Sequence, residues 1–149
     1  MISVQSEPFD PGAEYGRFAM ACPQAGAIAS FTGIVRPSSD GTEVTELELE
    51  HHPRFTRRTI DEIAEAARSR FGLSGLIIIH RYGRLLPGEP IVFVAATAPH
   101  RRAAFDAVDY LMDRLKTEAP FWKREHGRGG SRWIEARPTD HADRSRWGA

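Results

Sequence analysis

A chain of 149 residues with twenty cationic and twenty acidic side chains carries no formal net charge at pH 7, and its apolar share of 41% is ordinary. Such a chain can bury roughly two-thirds of its unfolded surface around one core, and its balance excludes both disorder and a surface tuned throughout to a polyanion. Its one cysteine, Cys22, excludes an internal disulfide.

In chain order, the first residues show neither a basic start nor an apolar run of signal-peptide length, so a cytoplasmic setting is expected. Asp10-Pro11 reads as an N-cap followed by proline at the first helical position, predicting a short helix to about Met20. Residues 27–35 are small and apolar and predict a buried strand ending at Arg36-Pro37. Ser38-Ser39-Asp40-Gly41 is expected to be a mobile turn into an alternating strand over 44–50. Val44 and Leu47 differ in parity there, which a bulge near Thr45 reconciles.

Ile60, Ile63, Ala64, Ala67 and Phe71 recur at three- and four-residue spacing, predicting an amphipathic helix over 56–71 that Gly72 stops. Residues 76–82 and 91–98 predict two strands, antiparallel across a connection bearing glycine and proline. Both runs are too short to cross a bilayer, and no membrane role is expected. The next helix has Ala104, Phe105, Val108, Leu111, Met112 and Leu115 on its apolar stripe and Lys116 at its end. Pro120 disfavours helix at Ala119, so Phe121-Trp122-Lys123 is expected in a loop or short strand. A last strand is expected over 133–136. Residues 138–149 are expected to fray, and the whole chain is read as one domain.

Eighteen of the twenty cations are arginines, and the two lysines, Lys116 and Lys123, share one short segment. A guanidinium stays protonated, whereas an ammonium loses its proton when desolvated or set beside another cation. The spared lysines therefore point to amine chemistry. Arg36 and Arg101 each follow a predicted strand, and convergence of those ends with the helix end would build a cationic pocket for phosphate or carboxylate. The plainer account has Lys116 complementing a helix dipole beside solvated arginines. Adjacent His51 and His52 point to opposite faces of a strand, and no cysteine pair accompanies them, so no metal is expected. One Arg128-Gly129-Gly130 triplet without repetition reads as a flexible loop, not a nucleic-acid segment. Phe121 and Trp122 read more readily as core anchors than as a stacking platform.

Four blocks, Phe31-Thr32-Gly33-Ile34-Val35-Arg36, His80-Arg81-Tyr82-Gly83, Pro99-His100-Arg101-Arg102-Ala103-Ala104-Phe105 and Leu115-Lys116 through Pro120-Phe121-Trp122-Lys123-Arg124-Glu125, resemble in order and spacing those of the large, catalytic subunit of molybdopterin synthase, the MoaE family. The resemblance covers about residues 26–137. It implies a single-domain α+β fold, an α/β hammerhead with mixed or antiparallel sheet and two main helices. It also implies sulfur transfer to a cyclic pyranopterin monophosphate, forming the molybdopterin dithiolene. The donor would be the C-terminal thiocarboxylate of a small ubiquitin-like subunit, and two copies of the chain would form a homodimer within a heterotetramer. No cofactor of its own is implied.

Carried over by motif, Lys116 and Lys123 are the expected catalytic residues. Ile34, Val35, Arg36, His100, Arg101, Arg124 and Glu125 are expected to bind substrate with them. Glu125 would either contact ligand or orient Lys123, and Arg137 would reach the neighbouring subunit's site. Residues 49–55 depart from the family pattern, which more often has a tyrosine-rich strand end and a methionine. The competing reading is a noncatalytic binder of a ubiquitin-like tail or an anionic ligand, against which the intact lysine pair argues.

Overall fold

The apolar runs around residues 76–82 and 91–98 are the middle of a sheet in a computed structural model that describes residues 1–148. In chain order the elements are β1 (Ile2–Gln5), α1 (Pro11–Ala21), β2 (Ala27–Ile34), β3 (Ser38–Ser39), β4 (Thr42–His51), α2 (Pro53–Phe71), β5 (Gly75–Arg81), β6 (Gly83–Leu85), β7 (Pro90–Ala98), α3 (Arg101–Glu118), β8 (Phe121–Gly127), β9 (Gly130–Ile134) and α4 (Pro138–Ser145). The first sheet has the order β1-β5-β7-β2, antiparallel except for the parallel β1–β5 pair. The second runs β3-β4-β8-β9, with β6 also paired to β4. This is the expected α+β fold, with α2 and α3 its two long helices.

The main core lies between the first sheet and those helices. Ile60, Ile63, Ala64 and Ala67 of α2 are wholly buried against Ile78, Val94 and Ala96, and Leu111 of α3 meets the same cluster. Gly72 ends α2 in the left-handed region at φ 62°, as its position after the apolar stripe predicts. The helix starts earlier than expected, because Pro53 takes the first turn and His52 Nδ1 accepts the Phe55 N–H. On α3, Phe105 is 58% exposed and not part of the stripe. Tyr110 is buried instead, edge-on to Phe71 and Trp147.

A small second core of Val35, Leu47, Leu49 and Leu85 joins the end of β2 to the second sheet. Its formation needs the parity change in β4. The β4–β8 register shifts between Val44 and Glu46, so Thr45 is the extra residue and Val44, Leu47 and Leu49 are all buried. Opposite Val44 sits Gly127, where a Cβ would stand 2.1 Å from the Glu43 carbonyl oxygen. Backbone cannot yield there as a side-chain tip can, so Gly127→Ala is expected to cost roughly 1–3 kcal/mol. Urea denaturation checks this, and an unmoved midpoint would contradict it.

Two expectations are corrected. Residues 38–39 form β3, paired to β4, where a mobile turn was expected. The tail does not fray over its described length: 138–145 is α4, and residue 149 lies outside the described residues. Its anchors are polar groups on the flank of α3 away from the apolar stripe. Arg146 reaches Asp109 and Asp113, Trp147 Nε1 donates to Asp113 at 2.7 Å, and Arg144 pairs with Glu118 at 2.9 Å. Exposed ion pairs contribute little alone, and the Trp147 ring against Phe71 and Tyr110 supplies the apolar contact. Among the described residues, no helix is long and apolar enough to cross a membrane.

Candidate active site

Pro120 shapes the segment that carries both lysines. It forces Ala119 out of helical geometry, to φ −68° and ψ 126°, and the chain turns from α3 into β8. Lys116 is left in the last turn of α3 and Lys123 is third in β8. Lys116 Nζ lies 3.5 Å from Asp140 Oδ1, and its side chain is half exposed. Lys123 is more enclosed. Burial pushes its ammonium below the usual lysine range, repulsion from Lys116 adds to this, and Asp140 and Glu125 oppose it. Lys123 is therefore the lysine tuned toward release of a proton.

Aromatic packing holds β8 in place beneath the pair. The Phe121 ring stacks on His80 with centroids 3.9 Å apart and planes 11° apart, and His51 lies 5.7 Å away on its own side. Phe121 is thus the anchor, while Trp122 is 54% exposed and lines an apolar groove with His52, Phe55 and Pro120. His51 also meets Tyr82 at 4.3 Å, so it fills an aromatic position at the departure from the family pattern. Burial drives the His80 pKa down to about 4, with Lys123 and His51 adding to it. A neutral imidazole 2.9 Å from the Arg81 carbonyl donates from Nδ1, since a carbonyl only accepts.

Strand alternation separates the next two expected residues. Lys123 and Glu125 share a face of β8, and Arg124 points to the other, its guanidinium 4.3 Å from the Trp133 ring centroid. Arg124 therefore does not face the lysines within this chain. Glu125 pairs with Arg132 at 3.2 Å and influences Lys123 only through charge. The Arg128-Gly129-Gly130 triplet is the tight β8–β9 turn, with Gly130 at φ 100°.

The expected convergence of Arg36, Arg101 and the lysines does not occur in one chain. Along the β2–β7 ladder, Ile34 meets Pro90 at one end and Ala27 meets Ala98 at the other. Arg36 follows the first end; His100 and Arg101 follow the second, about 23 Å away at 3.3 Å per residue. Helix α3 runs back over the sheet, which puts Lys116 about 22 Å from Arg101 at 1.5 Å per residue. The His80–Phe121 stack fixes which end the lysines occupy, because His80 pairs with Val92 and Val92 with Gly33. Lys116, Lys123 and Arg36 share one pole, and His100 and Arg101, both exposed, share the opposite one.

Around Arg36, Ile34 is exposed, whereas Val35 is buried in the second core. The Val35 N–H donates to the Glu89 carbonyl at 3.0 Å and its own carbonyl accepts from Gly88 at 2.9 Å, so Val35 sets where Arg36 emerges. Arg137 lies just before α4, 3.7 Å from Asp40. Asp140, which the sequence reading passed over, is the carboxylate nearest Lys116.

One group with metal-ligating atoms was also missed. The β4–β8 register brings Glu46, Glu48 and His126 together, their ligand atoms within 4.8 Å of one another. His126 Nε2 lies 3.0 Å from Glu48, and Arg84 lies 3.8 Å from Glu46. These contacts give the carboxylates cross-strand polar partners.

Known proteins share the chain's sequence and fold. A family model described as "MoaE protein" matches residues 4–118. The chain is 49% identical over 146 residues to the molybdopterin synthase catalytic subunit of Cereibacter sphaeroides, spanning 98% of this chain and 99% of that protein. With its namesake from Caulobacter vibrioides the identity is 47% over 147 residues, spanning 99% and 97%. Among solved structures, the molybdopterin biosynthesis MoaE protein of Burkholderia ambifaria superposes with a TM-score of 0.82 at 44% identity, covering 100% of this chain and 98% of that one. On a family match over most of its length and relatives nearly half identical from end to end, the chain belongs to the MoaE family.

Proposed function

We propose that the chain is the catalytic subunit of a molybdopterin synthase, a sulfurtransferase that moves sulfur from the C-terminal thiocarboxylate of a small ubiquitin-like subunit to cyclic pyranopterin monophosphate, making the dithiolene. The observation that carries this is the placing of the chain's two lysines, from separate elements, around Asp140, which lies 3.5 Å from Lys116 and whose charge acts on Lys123, with the Lys123 amine biased toward its neutral form by burial. In this reading Lys116, the more exposed of the two, faces the donor tail, and Lys123 faces the pterin. The pair moves protons and stabilises negative charge as the thiocarboxylate sulfur attacks. A lone unpaired thiol suits the reducing cytoplasm, where we place the reaction.

Arg36 at the lysine pole supplies a guanidinium for the substrate phosphate. His100 and Arg101, far from their own chain's lysines, serve the lysine pole of a second copy in the homodimer; Arg137, whose N–H bonds Asp140 beside Lys116, stands instead at the lysine pole of its own chain. A two-fold dimer exchanges opposite poles of two chains in this way without any rearrangement within either. Arg36→Ala removes one charge-assisted contact and is expected to weaken precursor binding about ten- to hundredfold, the effect of losing roughly 1.5–3 kcal/mol. Titration of the cyclic precursor against native and variant chains measures it. Unchanged affinity would remove Arg36 from the phosphate site.

A further inference from the structure

We infer that Asp140 is a positioning residue of the site, a carboxylate built into the start of α4 that grips the Lys116 ammonium and balances the charge of the lysine pair. The inference rests on the sulfur-transfer reading for its consequence, but the contact stands without it.

The carboxylate is held in place before any lysine approaches. Its Oδ2 accepts the Arg137 N–H at 2.8 Å, while the Asp140 N–H donates to the Arg137 carbonyl at 2.9 Å. This closes the first turn of α4 and leaves Oδ1 directed at Lys116 Nζ, 3.5 Å away. Only 16% of the Asp140 side chain is exposed, against 50% for Lys116, so the acid is the fixed partner and the lysine the mobile one. Helix α4 itself cannot drift, because Arg144, Arg146 and Trp147 fasten its far end to α3.

The other charged groups around the pair are otherwise engaged. Lys116 comes from α3, and Lys123 and Glu125 come from β8. Arg137 precedes α4, and His80 of β5 senses the charges of Lys123 and of His51 on β4. Glu125 is paired with Arg132, and Glu118, two residues beyond Lys116 on α3, is held by Arg114 and Arg144. Among the described residues, Asp140 is the carboxylate left for the lysines. Burial alone would favour its neutral form, but the Arg137 N–H and the Lys116 charge outweigh that and keep it ionised. An ionised Asp140 steadies Lys116 and limits how far the Lys123 amine is pushed toward its neutral form.

The chain's composition makes the test clean, since lysine labelled with carbon-13 at Cε yields two resonances, which Lys116→Arg assigns. Asp140→Asn keeps an acceptor for the Arg137 N–H and removes only the charge. Titrated without partner or substrate, this variant is expected to show the Lys123 midpoint shifted down, because a neighbouring anion that favoured the ammonium is gone. Asp140→Glu, which keeps the charge, is expected to return the midpoint toward its native position. At saturating precursor and thiocarboxylated small subunit, Asp140→Asn should also slow single-turnover transfer roughly ten- to hundredfold, with Asp140→Glu recovering part of it. An unmoved Lys123 midpoint in folded Asp140→Asn overturns the inference. So does a shift that Asp140→Glu reproduces instead of reversing, since helix capping and not charge would then be its cause. The titration needs no turnover, so its failure leaves the sulfur-transfer reading standing, and failure of transfer by the native chain leaves the titration intact.

Discussion

Lys116→Arg abolishes sulfur transfer while the chain still folds and still binds its small subunit. The substitution keeps a cation in the last turn of α3, within reach of Asp140, on a side chain that is half exposed. Folding should therefore change by no more than about 0.5 kcal/mol, the usual range for a surface position. What is lost is the ability to release a proton, because a guanidinium stays charged at any working pH. Loss of a positioned acid or base slows a reaction by about a hundred- to ten-thousandfold, so single-turnover transfer should fall below detection in most assays. Thermal unfolding and complex formation by size-exclusion serve as controls. Turnover retained within about tenfold of native would end the argument for amine chemistry at this position.

Mixing two inactive variants should restore activity. Arg101→Ala and Lys116→Arg each disable every site of a pure dimer, but by the proposed exchange of poles they disable different halves. In a mixed dimer, one site combines both defects and the other combines a native Lys116 with a native Arg101. Random reassortment makes half of the dimers mixed, each with one intact site, so activity should recover to about a quarter of native. Co-refolding the two variants and measuring transfer checks this. No recovery, with mixed dimers demonstrated by mass spectrometry, would place Arg101 outside the neighbouring site. Recovery would also explain why His100 and Arg101 stand some 22 Å from the lysines of their own chain.

Elements whose signal is periodic were legible in the sequence. The α2 stripe, the β5 and β7 runs and the parity conflict between Val44 and Leu47 each have one packed solution, and all appear where expected. Elements held by distant partners were not. β6 has three residues and exists because Leu85 pairs with Leu47. β1 has four, laid parallel on β5. α4 has no buried face of its own and depends on Asp109 and Asp113, which lie off the apolar stripe of α3, and on Glu118.

The site divides in the same way. Pro120 made the turn between the lysines readable, because its effect is local. The lysine types themselves pointed to amine chemistry. Which residues share a pole depends on the direction of α3 over the β2–β7 ladder, and no spacing in the chain encodes that. Arg124 shows the limit: it is adjacent to Lys123 in sequence, yet pairing in a two-sided strand sends it to the opposite face. Asp140 shows the converse, since twenty-four residues separate it from Lys116 and only the docking of α4 brings them together.

The most direct test is single-turnover transfer from a thiocarboxylated small subunit to the cyclic precursor by the native chain. A dithiolene-bearing pterin is expected, with loss of sulfur from the donor. A folded chain that forms a stable complex with the donor and binds the precursor, yet yields no dithiolene, would contradict it and leave a binder of the donor tail.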